Sequence, residues 1–251
     1  KAVYTHLEWL KGEAERAGIP VHVVQNRNLK EDALTASFRG LRPRENRVPG
    51  ERFAALPYYT KAEGADRTGQ VMRQCTTEYK VDPVTKFIRR EVMGLKPRQR
   101  APKEPVINNW FGISADELRR TRLSRDLWRV NIYPLPGLPD PMLPKPYKRH
   151  DCLLWMRKEY PDLTPPRSSC LGCPYHSNTE WRHIRDTSPD EWKDTIEFDK
   201  TIRKQGGMRG DLFLHRDCVP LDQVDLSTPE DRGQGNLFSG FREECMGVCG
   251  V

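Results

Sequence analysis

The sequence predicts an α/β fold, because helical and strand-like segments alternate along its 251 residues. Apolar residues recur at helical spacing between Val3 and Ala17, and the β-branched run 20–24 follows them directly. Strand-like segments at 106–113 and 127–133 flank the capping-box pattern of residues 114–117, which predicts the start of a helix. These patterns favour helices packed on a mostly parallel sheet.

Proline and glycine mark the ends of the remaining predicted elements. Asp82-Pro83 predicts the start of a helix that ends at Gly94. A helix is expected over about 150–160, and a second capping box at 188–191 predicts another after it. Aperiodic segments predict long loops at 39–70, at 134–148, which holds six prolines, and from Gly206, apart from the strand-like Leu212-Phe213-Leu214.

The composition predicts a folded chain without a membrane span. Eight Phe, eight Tyr and six Trp are too many for a disordered chain, although apolar residues make up only 36%. No run of 18 apolar residues occurs, and the segment from Lys1 to Tyr4 has no apolar signal-peptide region. The expected location is therefore the cytoplasm.

The net charge of +7 is concentrated in two segments. Residues 86–103 hold seven cations and one acid, and residues 119–129 hold five cations and one acid. Such stretches attract polyanions and phosphate-bearing ligands, although a solvated basic face has the same composition. Nucleic acid is therefore a candidate partner through both segments.

The sequence contains seven cysteines, an odd number that argues against a disulfide scaffold. Cys170 and Cys173 are three positions apart, which suits a shared metal or cluster and equally a redox dithiol. The adjacent prolines stiffen this loop, as a preformed metal site requires. A complete site needs further ligands, and the candidates are Cys75, Cys152, Cys218, His150, His176, Cys245 and Cys249.

Three motifs carry a resemblance to a known family. The segment around Cys75, Arg73-Gln74-Cys75-Thr76-Thr77-Glu78-Tyr79-Lys80-Val81-Asp82-Pro83-Val84, resembles the Cys-Cys-x-x-Arg-Lys-x-x-Pro-Leu segment of assimilatory adenylyl-sulfate reductases. Residues 110–120 are similar to their strand-to-helix turn Gly-Ile-Arg-x-x-Glu-Ser-x-x-Arg, and residues 244–250 to their C-terminal Glu-Cys-Gly. The chain thus resembles a divergent branch, often borne by phages or mobile elements, of the phosphoadenylyl-sulfate (PAPS) reductase-like family, within the adenine-nucleotide α-hydrolase superfamily.

The resemblance implies a Rossmann-like, mostly parallel sheet with helices on both faces. The first strand and the family's Ser-Gly-Gly-x-Asp-Ser phosphate loop do not occur in this sequence and are expected upstream of Lys1. Residues 1–148 are then the adenine-nucleotide-binding core, and residues 149–251 are a helical, cysteine-rich iron–sulfur lobe with a C-terminal tail.

The resemblance also implies a set of site residues. The second cysteine of the family's doublet is Thr76 here, so Cys152 is the first choice to complete the ligands of a 4Fe–4S cluster. The nucleotide would be ATP, PAPS or adenylyl sulfate (APS). The implied cluster ligands are Cys75, Cys152, Cys170 and Cys173, the nucleotide-binding residues Arg73, Gly112, Asp116, Glu117 and Arg120, and the nucleophile Cys245 or Cys249.

The implied function is thiol-dependent reduction of a sulfonucleotide by an oxidoreductase that receives electrons from a thioredoxin-like protein. One alternative is an ATP-pyrophosphatase-type sulfur transferase that thiolates tRNA or DNA, which the basic segments favour. Another is a zinc-stabilised nucleic-acid-binding module without catalysis. Iron with acid-labile sulfide would indicate an enzyme, whereas stoichiometric zinc would indicate the module.

Overall fold

A computed structural model describes residues 2–25, 27–35, 56–166, 169–204, 210–228 and 231–233. These residues have a mixed α/β structure. The α-helices are α1 (Ala2–Arg16), α2 (Leu29–Thr35), α3 (Asp82–Phe87), α4 (Arg149–Glu159), α5 (Asn178–Thr187) and α6 (Pro189–Ile202). The strands are β1 (Tyr59–Lys61), β2 (Gly69–Gln70), β3 (Ile107–Trp110), β4 (Arg129–Ile132) and β5 (Asp211–Phe213).

Contacts divide the described residues into two compact units. The β3–β4 unit comprises the described residues of 2–24 and 84–166, and the β1–β5 unit those of 25–83 and 169–233. The sequence predicts one domain boundary, near residue 148. In the structure, the chain passes from one unit to the other near residues 24, 83 and 168.

The β3–β4 unit is built around a parallel strand pair. The pairing runs in register from Ile107 opposite Arg129 to Trp110 opposite Ile132. Trp128 and Tyr133, which flank β4, are buried. Elsewhere in this unit, the Trp9 ring of α1 contacts the Tyr160 ring after α4 edge to face, with centroids 5.0 Å apart.

The β1–β5 unit has an antiparallel sheet ordered β2–β1–β5. Leu212 and Leu214 alternate with Phe213, and both leucines are fully buried in the core. The Arg203 guanidinium lies 3.9 Å from the Phe213 ring centroid. The core cluster also includes Trp181 of α5 and Ile202 of α6, both fully buried.

A helical run from residue 75 to 92 contains two π-helical segments, Thr77–Val81 and Ile88–Val92, on either side of α3. Pro83 within it has no N–H to donate to the preceding turn. The Asp82 N–H donates to the Thr77 carbonyl oxygen, which widens the turn ahead of the proline. α3 begins at Asp82 as predicted, but the helical run that contains it starts earlier, at Cys75. The predicted end holds, because Gly94 has φ of +64°.

Local patterns otherwise predicted most elements of the β3–β4 unit and α6 of the β1–β5 unit. The helices α1, α4 and α6 and the parallel strands β3 and β4 confirm the expectations for their segments. Parallel pairing within the described residues consists of β3 with β4. None of the described helices is long and apolar enough to cross a bilayer.

Three expectations are wrong. Residues 20–24 form no strand, and Val21 and Val23 are exposed rather than buried. Residues 59–70, expected to be part of a loop, contain β1 and β2 because a strand distant in the sequence, β5, pairs with β1. Residues 115–120 form a six-residue 3₁₀ helix whose start receives no hydrogen bond from the Ser114 side chain.

The helix α5 was not predicted from the sequence, although the capping-box pattern of Ser177 and Glu180 is present. The Glu180 N–H donates to the Ser177 hydroxyl at 3.3 Å, and the Ser177 N–H donates to the Glu180 carboxylate at 2.7 Å. This reciprocal pair is the capping box that Ser-x-x-Glu predicts.

Candidate metal centre

The turn from Cys170 to Cys173 is held by its own backbone and by a buried histidine. The Cys173 N–H donates to the Cys170 carbonyl at 3.0 Å, and the His176 N–H donates to the Cys173 carbonyl at 3.2 Å. His176 Nε2 lies 2.9 Å from the Cys170 carbonyl oxygen, which accepts when that nitrogen carries the proton. The His176 ring packs on Trp181 with centroids 4.6 Å apart. The cysteine turn is thereby anchored to α5.

Gly172 brings the same turn against the core. A Cβ at this position would lie 3.1 Å from Cδ1 of Phe198 and 4.0 Å from Cδ1 of Leu214. A larger residue would push the turn away from α6 and from the end of β5. The thiol of Cys170 faces solvent, whereas Cys173 is half-buried.

The segment that follows β5 carries another cysteine of the same unit, Cys218. Cys218 is buried and has φ of +52°, a conformation that non-glycine residues seldom adopt. Both ends of the segment are fixed by the buried Asp199 carboxylate, which accepts from the Leu214 N–H at 2.9 Å and from the Leu221 N–H at 3.1 Å. Arg203 of α6 forms an ion pair with the same carboxylate.

His215 lies in this segment and is buried in its neutral form. The Asp217 N–H donates to Nδ1 at 3.2 Å, so Nε2 carries the proton and donates to the Asn178 Oδ1 at 3.0 Å. Burial is the main cause that lowers the pKa of His215. Arg216 lowers it further, and the negative charges of Asp217 and Asp199 partly oppose the shift.

The lowered His215 pKa predicts a pH-dependent stability. The unfolded chain binds the His215 proton near pH 6.5, whereas the folded chain binds it only at lower pH, so stability falls as the pH drops below about 6.5. We expect the free energy of unfolding, measured with urea, to fall less steeply below about pH 6.5 in His215→Gln than in the wild type. His183→Gln, at an exposed position on α5, is the control and should retain the wild-type slope. Equal slopes for all three proteins would contradict the assignment.

Cys75 begins the helical run, beside polar groups that are buried in the β1–β5 unit. The Tyr58 side chain is fully buried, and burial first and the charge of a Cys75 thiolate second raise its pKa. Among the described residues, neither the Tyr58 hydroxyl nor Nη1 of Arg73 has a hydrogen-bond partner. The Tyr58 hydroxyl is therefore a donor within electrostatic range of Cys75, and Arg73 provides a second donor two residues before it in the chain.

The neighbouring Tyr59 relates β1 to two more thiols. Burial is the main cause that raises its pKa, and the negative charges of Cys173 and Cys218 thiolates add to the effect. The Arg216 guanidinium and a side-chain hydrogen bond with Gln70 oppose it. Tyr58 and Tyr59 thus lie within electrostatic range of Cys75, and of Cys173 and Cys218, respectively.

Cys152 belongs to the other unit. It lies on α4, half-buried, and burial followed by the charges of Asp151 and Asp116 raises the pKa of its thiol. Its role as a cluster ligand stays a prediction. Cys245 and Cys249, the predicted nucleophiles, lie outside the described residues.

The described cysteines provide the right donors for a soft metal or an iron–sulfur cluster, without a preassembled ligand set. Among residues 2–233 as described, no three Cys, His, Asp or Glu side chains are grouped around one point as ligands. Metal sites commonly complete their geometry only on binding. The candidate ligands are therefore the described thiols of the β1–β5 unit, which are Cys75, Cys170, Cys173 and Cys218.

The predicted nucleotide-binding residues separate into two groups. Gly112, Asp116, Glu117 and Arg120 lie after the carboxyl end of β3, whereas Arg73 belongs to the β1–β5 unit. Arg120 donates to the Glu117 carboxylate at 2.7 Å, and the Arg149 N–H donates to Asp116 at 3.1 Å. The helix at which an anion site was expected is a six-residue 3₁₀ helix rather than an α-helix, and nucleotide binding there stays a prediction.

Comparison with protein-family models finds no match, and searches of curated proteins and of solved structures find no significant similarity.

Proposed function

We propose that the protein is an iron–sulfur enzyme of the sulfonucleotide-reductase type, in which Cys75, Cys170 and Cys173 bind a 4Fe–4S cluster. The observation that supports this proposal most directly is the location of these three cysteines in one compact unit, with buried donors beside Cys75. In this proposal β3 and β4 belong to a Rossmann-like sheet.

The chemistry of the buried groups fits a cluster. Cluster sulfides and cysteine thiolates accept hydrogen bonds and carry negative charge. The Tyr58 hydroxyl and the Arg73 guanidinium are donors, and both have buried polar atoms without a partner among the described residues. A cluster would supply structural order to the β1–β5 unit and a fixed electrostatic field.

The remaining parts of the proposal concern the nucleotide and the thiol. We place the adenine nucleotide at the carboxyl end of β3, where ligands of α/β proteins commonly bind, with Arg120 released from Glu117 to contact phosphate. A thiolate of Cys245 or Cys249 attacks the sulfonate sulfur, the bond from sulfur to the phosphate oxygen breaks, and the nucleotide leaves. A thioredoxin-like dithiol then reduces the resulting thiosulfonate, releases sulfite and is itself oxidised to a disulfide.

The decisive experiment is a metal count on protein purified without oxygen. We expect about four iron atoms and four sulfides per chain in the wild type. Cys170→Ser should lose most of both, because one ligand of the fixed turn is removed. The neighbouring Ser169→Ala is the control for disturbance of the turn and should retain the cluster. Stoichiometric zinc without sulfide would instead support the non-catalytic zinc module.

The same assay identifies the fourth ligand. Cys152 is the ligand predicted from the sequence, and Cys218 is the additional buried cysteine of the β1–β5 unit. Cys152, Cys218, Cys245 and Cys249 are each replaced by serine in separate variants. Three of the variants should retain their iron, and the one that loses it lacks the fourth ligand. A tail variant that loses turnover but retains the cluster spectrum would be the nucleophile.

A further inference from the structure

The β3–β4 unit carries the charge excess of the whole chain. Residues 84–129 contain twelve Lys and Arg and five Asp and Glu, a net charge of +7, which equals the net charge of all 251 residues. The rest of the chain is therefore neutral overall. Such a concentration of positive charge on one part of a protein attracts polyanions over long distances.

Part of this charge lies on an ordered loop at the carboxyl ends of β3 and β4. The Tyr133 hydroxyl accepts from the Arg122 N–H at 2.9 Å and donates to the Arg122 carbonyl at 2.8 Å. Tyr133 directly follows β4 and stacks on Phe111, which directly follows β3, with ring centroids 5.4 Å apart. The loop 119–127 is thereby attached at Arg122 to the edge where both strands end, before it returns to the start of β4 at Arg129.

The arginines of this loop, and Arg129 at the start of β4, differ in whether they form ion pairs. Arg120 and Arg129 form ion pairs with Glu117 and Asp126 respectively, at 2.7 Å in each case. Within the described ranges, Arg119, Arg122 and Arg125 form no ion pair, and all three are exposed. Arg122 is positioned by donating to carbonyl oxygens of its own loop at 2.6 and 2.8 Å.

An exposed tryptophan lies at the same edge. Trp110 is the last residue of β3 and directly precedes Phe111, and 60% of its surface is exposed. Asn108, two residues earlier on the same face of the strand, is exposed as well. An exposed aromatic ring and uncompensated arginines within one basic unit are the combination that single-stranded nucleic acids bind, by stacking and by phosphate contacts.

We propose that the β3–β4 unit binds single-stranded nucleic acid, with Trp110 stacked on a base and Arg119, Arg122 and Arg125 contacting phosphates. This goes beyond the iron–sulfur reductase proposed above, because it requires neither the cluster nor a sulfonated nucleotide. It assigns a macromolecular partner to the β3–β4 unit.

The distribution of charge favours a single nucleic-acid strand over other anionic ligands. A free mononucleotide carries too few phosphates to contact three separate arginines and also the basic segment 86–103. A membrane surface would require an apolar face, whereas the exposed Leu123 and Leu127 are isolated between arginines on a loop.

The test is fluorescence anisotropy with the full chain and a labelled 20-nucleotide single strand, as oligo(dT) and as oligo(rU), at several salt concentrations. If all three arginines contact phosphates, Arg119→Ala/Arg122→Ala/Arg125→Ala should reduce the slope of log Kd against log salt by about 2 and weaken binding about 100-fold at 0.1 M salt. Trp110→Ala should weaken binding about 5- to 150-fold with an unchanged salt slope.

A variant of equal charge change separates a local site from general attraction. Lys193→Ala/Lys200→Ala/Arg185→Ala removes three exposed cations from α5 and α6 of the other unit and should change affinity less than threefold. Equal weakening by both triple variants, an unaffected Trp110→Ala, or tighter binding to duplex DNA or phosphatidylserine vesicles would overturn the proposal. Circular dichroism checks folding, and iron content should be the same in every variant, which keeps this result distinct from a failure of the cluster proposal.

Discussion

Asp199→Ala should lower the free energy of unfolding of the β1–β5 unit by about 3–5 kcal/mol, among the largest effects of any single substitution in the described chain. The Asp199 carboxylate is almost completely buried, accepts from the Leu214 and Leu221 N–H groups, and pairs with Arg203. Alanine would leave two backbone donors and one guanidinium buried without an acceptor. The shift in the urea midpoint, followed by circular dichroism, measures the loss.

Asp199→Asn is the matched control for the charge. Asparagine has nearly the same shape and retains one oxygen that accepts hydrogen bonds, but its amide group cannot accept from the second N–H. We therefore expect the free energy of unfolding of Asp199→Asn to lie between those of the wild type and of Asp199→Ala. A change below 0.5 kcal/mol for alanine would show that the carboxylate does not hold the segment 214–221 in place.

Trp181→Ala should cost a similar amount, about 3–5 kcal/mol, because it removes a fully buried ring from the centre of the core. The effect should extend to the candidate metal centre. His176 packs on Trp181 and also lies against the Cys170 carbonyl oxygen, so loss of the ring loosens the cysteine turn. Urea unfolding measures the stability, and the rate at which a thiol reagent modifies Cys173, read by mass spectrometry, measures the turn.

Trp181→Phe separates packing from hydrogen bonding. The indole N–H of Trp181 is buried without an acceptor among the described residues, so its removal relieves an unsatisfied donor while most of the aromatic contact stays. We expect a loss of about 1 kcal/mol and normal thiol reactivity. A phenylalanine variant as unstable as the alanine variant would mean that an acceptor for the N–H exists in the folded protein.

Much of the secondary structure could be predicted from local patterns. The periodic apolar residues of α1 and the alternation within β3 each lie within one element, so no distant contact is needed to recognise them. The Cys170–Cys173 turn was predicted for the same reason, since its spacing and the flanking prolines are local. The capping box of α5 was equally visible, at Ser177 and Glu180, and could have been read.

The rest of the site could not be read from local patterns. β1 pairs with β5, about 150 residues further along the chain, and a strand of three residues has too short a pattern to be distinguished from a loop. Asp199 occupies a helix position between Phe198 and Lys200, and nothing in its spacing indicates that two backbone N–H groups converge on its carboxylate. Tyr58 resembles any core aromatic until its hydroxyl is found buried beside Cys75.

The α/β elements, the stiff pair of cysteines and the localised excess of positive charge can be predicted from the sequence, because each of these depends on residues close together in the chain. Which cysteines share a unit is known from the tertiary structure alone: Cys75 joins Cys170, Cys173 and Cys218, whereas Cys152 lies in the other unit. The attachment of the Arg122 loop to Tyr133, which stacks on Phe111, is likewise seen only in the structure. Both outcomes depend on strand pairing and side-chain contacts between distant segments, which are selected by the burial of a common core rather than by local spacing.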